Sequence, residues 1–212
     1  MCSSDLRNML KNPHYFPIYE RHLSRYVGHP VTVFEIGTGE GGSCQMWKYY
    51  FGPMCRIVTI DIADKKEFAE SQIFVRTGSQ DDAEFLGNIV AEFGPPDIVL
   101  DDGSHLMTHI NASFRALFPA MSTNGTYLVE DLNTAYWADF GGGLRVGGSF
   151  IERCKLLIDE MNAEYTNGAL APSAEGRAIC NISFYKGIVV LEKAPFINTL
   201  LLRRPIPLPD EK

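Results

Sequence analysis

In the stretch "IVLDDGSHLMTHINASFRALFP", residues 98–119, a buried apolar run gives way to an amphipathic one, and Asp101, Asp102 and His105 sit at the change. A second acidic pair, Glu130 and Asp131, ends the later apolar run "GTYLVED". A hard divalent cation takes oxygen ligands, often one or two carboxylates completed by water and substrate. Asp102, Glu130 and Asp131 are the candidate ligands, because without a cation they would repel one another and at least one would take up a proton. The competing reading makes them helix caps or partners of Arg115 or Arg145. His105 lies beside them, and an imidazole with an unperturbed pKa of ~6.5 suits proton acceptance at neutral pH, so it is the candidate general base. His109 follows one helical turn later. HxxxH spacing also occurs in zinc sites, but the glutamate usual between the histidines is absent, and His109 reads as packed or hydrogen-bonded.

The segment "EIGTGEGG" adds a second piece of chemistry. Gly37, Gly39 and Gly42 satisfy GxGxxG after a strand and before a helix, with Thr38 inside the loop. Asp61 ends the next strand about 20 residues on, where a carboxylate commonly holds ribose hydroxyls. This spacing serves a nicotinamide dinucleotide or S-adenosylmethionine equally. Glu35, two residues before the first glycine, disfavours a pyrophosphate and suits a cofactor with an ammonium and a sulfonium, so it is expected near the methionine end. Ser79 and Gln80 in "TGSQDD" are candidate adenine contacts. Asp81 is expected to cap the following helix, and Asp101 is assigned to the cofactor side of the rim.

These residues need strands to carry them. β-branched and apolar runs predict strands at 31–37, 56–62, 72–78, 97–102 and 125–131. Helical spacing with glycine or proline at the ends predicts helices at 41–52, 81–94, 105–119 (with Pro119 just past the end) and 149–165. Residues 3–28 read as helical, with a break at Asn12 and Pro13, and His22 reads as a surface or packing residue. The glycine-rich, aromatic segment 132–148 suggests a loop over a site. "NISFYKGIVVLEK" is a hairpin pattern around Lys186 and Gly187. Alternating strands and helices imply an α/β, doubly wound sheet with ligands outside the carboxyl ends of its strands. The division expected is a helical segment at 1–30, a catalytic domain at 31–195 and an extended Pro-rich tail at 196–212.

The 212 residues carry a formal net charge of −7, which argues against a nucleic-acid partner. No apolar run spans a membrane and no signal peptide is visible, so a cytoplasmic protein without a membrane partner is expected. Five scattered cysteines, with no CxxC pair, read as reduced thiols.

"EIGTGEGGS", "IDI" and "DIVLDDGSHLMTHINASFRALFPAMSTNGTYLVEDLNTAYW" together resemble the metal-dependent O-methyltransferases of antibiotic biosynthesis, the macrocin and mycinamicin sugar O-methyltransferases and their cephalosporin hydroxylase-like relatives. The "DDGSH…ED" combination is the specific part. The resemblance runs from about residue 31 to 150, and more weakly to 192. It implies a class I, Rossmann-like methyltransferase fold: a mostly parallel seven-stranded sheet with an antiparallel C-terminal hairpin. It also implies S-adenosylmethionine at Asp61, Mg²⁺ or another divalent cation at Asp102, Glu130 and Asp131, and His105 as base. The acceptor it implies is a small hydroxylated molecule, a sugar hydroxyl of a glycosylated natural product first and a catechol-like phenol second. An NAD-dependent oxidoreductase is the remaining alternative, but the acidic rim has no role there and no YxxxK pair is present. Ser79 stands where the family often has an acidic residue, and the chain is expected to lack the long N-terminal auxiliary domain of the mycinamicin enzyme. Homo-oligomerisation is left open.

Overall fold

A computed structural model of the protein describes residues 6–195, so the tail expected at 196–212 lies outside the described residues. Seven strands form one sheet: β1 (Val31–Ile36), β2 (Cys55–Asp61), β3 (Ile73–Thr77), β4 (Ile98–Asp101), β5 (Thr126–Val129), β6 (Ile179–Tyr185) and β7 (Ile188–Lys193). Their order is β3-β2-β1-β4-β5-β7-β6. The first five are parallel, and β7 runs antiparallel to both β5 and β6. The chain builds outward from β1 to β3 and then returns to place β4 on the other side of β1. A crevice opens where the direction reverses, at the carboxyl ends of β1 and β4. This is the expected class I methyltransferase architecture.

Helices cover both faces. One face packs on α1 (Phe16–Leu23) and α2 (Gly42–Phe51) through Val31, Val33, Leu100, Leu128 and Val190, with Trp47 and Phe51 opposite. The other packs on α3 (Ala83–Phe93), α4 (Met107–Ala120) and α5 (Phe150–Met161) through Phe34, Val99, Tyr127 and Leu191, with Phe114 and Phe118 opposite. A short α6 (Ala174–Ala178) precedes β6. Side chains alternate along a strand, so this assignment also fixes the acidic residues that end the strands. Glu35 and Glu130 fall on the α1/α2 side, and Asp101 on the α4 side.

Several expected boundaries move. Among the described residues, helix in the N-terminal segment begins only at Pro13, in a short 3₁₀ turn leading into α1, and residues 6–12 are irregular; the part of the expected helix at 3–5 lies outside the described residues. Here Asn12 takes an extended backbone before proline, and residues 6–12 bond to other elements instead of to themselves. Pro119 lies inside the last turn of α4 rather than beyond it. A proline there removes one backbone N–H, and both Pro119 and Arg115, four residues back, are exposed, so water can serve the carbonyl left over. The Lys193 ammonium meets the carbonyls of Phe118, Pro119 and Met121 and closes that helix end. Segment 132–148 forms two short 3₁₀ turns with Tyr136, Trp137, Leu144 and Val146 exposed. No helix among the described residues is long and apolar enough to cross a membrane.

Gly37 holds the two edges of the crevice together. Its N–H donates to Ile60 O of β2, and its φ is +95°. A Cβ there would stand 2.1 Å from the Asp102 carbonyl oxygen, just past the end of β4. Gly37→Ala therefore forces a left-handed backbone and a backbone clash together. Urea unfolding should show a loss of about 2–4 kcal/mol. A loss within about 0.5 kcal/mol, the scale of a neutral surface change, would show that the strand ends are not held this closely.

Candidate active site

A cavity of about 990 Å³ lies over the carboxyl ends of β1, β2, β4 and β5. One side is the glycine loop, Gly37 to Glu40, with Asp61, Ser79 and Gln80. The other is the acidic rim, Asp102, His105, Glu130 and Asp131. Across the opening runs the irregular segment Asn8 to Asn12. The aromatic loop 132–148 contributes no lining residue, so the expected cover over this cavity comes from the N-terminal segment instead.

On the loop side, the Asp61 carboxylate is held by three backbone N–H groups. Thr38 N and Gly39 N donate to Oδ2 at 3.1 and 3.3 Å, and Ala63 N donates to Oδ1 at 2.9 Å. These bonds fix the glycine loop to β2 and keep the carboxylate at the cavity wall. Thr38 turns its hydroxyl inward to Thr59 at 2.8 Å. Gly42 opens α2 beneath the Asn8 carbonyl, which a Cβ would meet at 2.2 Å.

Four expected cofactor contacts have other partners. Glu35 is fully buried and absent from the cavity wall, because strand alternation sends it toward α2. There its carboxylate accepts from Cys44 Sγ at 3.1 Å and Trp47 Nε1 at 3.2 Å. Burial raises its pKa, with the Lys11 charge pulling the other way. Asp101 is likewise buried and off the wall, on the α4 side. It accepts from Ser113 Oγ at 2.5 Å, Gln80 Nε2 at 3.1 Å and Tyr127 Oη at 3.2 Å, and burial still pushes its pKa up to about 6. Gln80 does line the cavity, but its amide is spent on structure: Nε2 on Asp101 and Oε1 accepting from Ser104 N at 2.7 Å. Ser79 donates its hydroxyl to Asp81. The cap of α3 is Asp82, which accepts from Phe85 N at 3.0 Å, and not Asp81. Asp81 faces His109 Nε2 at 3.5 Å instead.

The rim is built from two strained turns. His105 precedes α4 rather than starting it and has φ 58°, and Asp131 has φ 50°. Both are left-handed, a conformation histidine and aspartate adopt more readily than most residues but still at a cost. The turns bring Asp102, His105 and Asp131 together, with one ligand atom of each within 4.8 Å of the others. His105 Nε2 is 3.8 Å from Asp102 Oδ1. His109 is tied to Ser104 Oγ through Nδ1 at 3.1 Å, and His22 is buried against the Tyr185 hydroxyl at 2.8 Å.

Glu130 points into the protein, and its partner is a residue to which the sequence reading gave no role. Lys11 Nζ lies 2.8 Å from Glu130 Oε2 and 2.7 Å from Asp102 Oδ2. Its side chain is 2% exposed. Burial opposes its charge, but Glu130, Asp102 and Glu35 outweigh that and hold the ammonium protonated. Asp131 Oδ1 is claimed by the same segment, accepting from Tyr15 Oη at 2.6 Å and Asn12 Nδ2 at 3.3 Å. Glu130 Oε1 is buried beside the Tyr19 hydroxyl, and neither atom completes a hydrogen bond of good geometry. Burial raises the Glu130 pKa, and Lys11 pulls against it. The only hint of Lys11 in the sequence is an unbalanced acidic rim that needs a positive charge from somewhere.

The donor set fits a divalent cation. Asp102 and Asp131 bring hard carboxylate oxygens within reach of one another and of the His105 ring, while Glu130 stands outside that cluster on Lys11, so the structure gathers two of the three expected carboxylates with the imidazole in place of the third.

No protein-family model matches the chain. The 8-demethyl-8-(2-methoxy-α-L-rhamnosyl)-tetracenomycin-C 3′-O-methyltransferase of Streptomyces olivaceus is 41% identical over 194 residues, 85% of this chain and 49% of that protein. Mycinamicin VI 2″-O-methyltransferase of Micromonospora griseorubida is 39% identical over 193 residues, 85% of this chain and 48% of that protein. Among solved structures, MycE methyltransferase from the mycinamycin biosynthetic pathway, in complex with Mg, SAH and mycinamycin VI, superposes with a TM-score of 0.81 at 37% identity. That match covers 90% of this chain and 52% of MycE. The chain thus spans about half the length of the relatives it matches.

The two bonds of Gln80 lead to a test of its role. Gln80→Ala leaves buried Asp101 short of a donor and frees the Ser104 N–H, so it should cost about 2 kcal/mol in thermal or urea unfolding. Unchanged stability would return Gln80 to the adenine side of the cavity. Over 84–85% of its length, and in its fold, this chain is thus similar to the tetracenomycin, mycinamicin and macrocin O-methyltransferases.

Proposed function

We propose that the protein is an S-adenosylmethionine-dependent O-methyltransferase acting on a hydroxyl of a glycosylated natural product, with a divalent cation, Mg²⁺ first, at the acidic rim. The observation that carries this reading is the pairing, in one cavity, of a ribose-type carboxylate, Asp61, with a rim of carboxylates and an imidazole. Relatives at 35–41% identity are named for methylation of sugar hydroxyls, and MycE was solved with Mg and SAH.

Each residue has a part. The glycine loop brings bare backbone to the cofactor, and Asp61 takes the ribose hydroxyls. Asp102, Glu130 and Asp131 would hold the cation, which when bound lowers the pKa of an acceptor hydroxyl. His105 accepts the hydroxyl proton on an imidazole nitrogen, with Nε2 3.8 Å from Asp102 Oδ1. The acceptor oxygen then attacks the methyl carbon opposite the departing sulfur. Holding both reactants at contact distance supplies much of the rate. The exposed Tyr136, Trp137, Leu144 and Val146 are an apolar surface suited to the body of a natural product. Free thiols at Cys44, Cys55, Cys154 and Cys180 suit a cytoplasmic location.

The cofactor assignment is tested by calorimetry. S-adenosylhomocysteine should bind and NAD should not, and Asp61→Ala should weaken binding roughly 10- to 100-fold, as expected for a lost charge-assisted pair. Equal binding by the variant, or preferential binding of NAD, would remove the reading. For the chemistry, labelled methyl should pass to glycoside acceptors in preference to catechols when Mg²⁺ is present. His105→Ala should lower kcat by about 10²- to 10⁴-fold, the range of a lost general base, while Mn²⁺ affinity stays put. A drop in Mn²⁺ affinity would instead make His105 a metal ligand alongside Asp102 and Asp131, and the base would have to be sought elsewhere.

A further inference from the structure

We infer that Lys11 is a built-in cation that holds the acidic rim when no metal is bound, and that a divalent ion enters only by displacing it. The inference rests on the proposed metal at Asp102, Glu130 and Asp131 and concerns what stands in its way.

The N-terminal segment claims one oxygen of each of the three carboxylates: Lys11 takes Asp102 Oδ2 and Glu130 Oε2, while Asn12 and Tyr15 take Asp131 Oδ1. A magnesium ion sits about 2.0–2.1 Å from its oxygen ligands. An ammonium already 2.7 and 2.8 Å from two of those oxygens occupies the same space, and two cations so close repel strongly where water is scarce. Occupancy of Asp102 Oδ2 and Glu130 Oε2 is therefore exclusive. The exchange is favourable in charge: three carboxylates with Lys11 carry a net −2, and with a divalent ion −1.

Lys11 is also not free to swing alone. Its segment is tethered at a distance from the rim. Arg7 N donates to Gln45 Oε1 at 3.0 Å. The Arg7 guanidinium donates to the Phe68 carbonyl at 2.8 Å, pairs with Glu70 at 3.2 Å and lies 5.1 Å over the Phe68 ring. The Asn8 carbonyl presses on Gly42, at the start of α2. Between this tether and Tyr15 the chain lines the cofactor cavity. Displacing Lys11 must loosen the strip that forms one cavity wall, so metal entry and the shape of the cofactor cavity are coupled through a single segment.

The test uses the whole chain and Mn²⁺ as probe, with affinity read by electron paramagnetic resonance. Lys11→Met removes the competitor, so Mn²⁺ should bind roughly 10- to 100-fold tighter than in the wild type. The variant should also melt at a lower temperature in chelator, because Glu130 loses its buried partner, and should regain more on addition of Mn²⁺ than the wild type does. Arg7→Ala leaves every rim residue intact but weakens the tether, and it should tighten Mn²⁺ binding in the same direction by a smaller factor. It gives a reading even if Lys11→Met does not fold without metal. Equal Mn²⁺ affinity in the wild type and both variants would overturn the inference and leave the metal assignment standing. Absence of Mn²⁺ binding in all three proteins would overturn the metal assignment, and the inference with it.

Discussion

Negative charge is concentrated where three neighbouring parallel strands end. β1, β4 and β5 deliver Glu35, Asp101, Asp102, Glu130 and Asp131 to one rim, and three of these, Glu35, Asp101 and Glu130, are almost wholly buried. A carboxylate removed from water costs several kcal/mol unless charge or hydrogen bonds compensate it. The fold answers differently on each side of the sheet. Toward α2, Glu35 takes the thiol of Cys44 and the indole of Trp47. Toward α4, Asp101 takes Gln80, Ser113 and Tyr127. Between them, Asp102 and Glu130 share the one ammonium of Lys11. The irregular N-terminal segment, the left-handed turns at His105 and Asp131, and the tight approach at Gly37 all serve this arrangement.

The rim thereby separates residues that are neighbours in sequence into different jobs. Asp101 and Asp102 are adjacent, yet alternation along β4 puts the first under the sheet with α4 and leaves the second at the cavity wall. Glu130 and Asp131 divide in the same way: the first turns inward to Lys11, and the second is rotated by its left-handed backbone toward Tyr15 and His105. Asp101 anchors the end of β4 away from the cavity, whereas Asp102, Glu130 and Asp131 all line it.

Much of the architecture was legible because buried parallel strands are continuous apolar runs bounded by turn residues. Val31–Ile36 and Cys55–Asp61 fall within a residue of the expected 31–37 and 56–62, and the terminal hairpin turns where Lys186 and Gly187 place it. The placement of the rim residues was legible for the same reason, since residues at strand ends inherit their place from the strands. What failed was local inference about contacts made at long range. Lys11 meets Asp102 and Glu130 across 91 and 119 residues of sequence, and nothing in its neighbourhood announces that. Glu35 read as a cofactor residue because its distance from the glycines was known and its face was not. Counting alternation back from Val31 and Val33 would have turned it toward α2.

The cation site can be seen directly in crystals grown with S-adenosylhomocysteine and Mn²⁺ by anomalous scattering at the manganese edge. The account predicts a peak in contact with Asp102, Glu130 and Asp131, with the Lys11 ammonium withdrawn from between the first two. Lys11 still seated on Asp102 and Glu130, with no manganese at the rim, would contradict it.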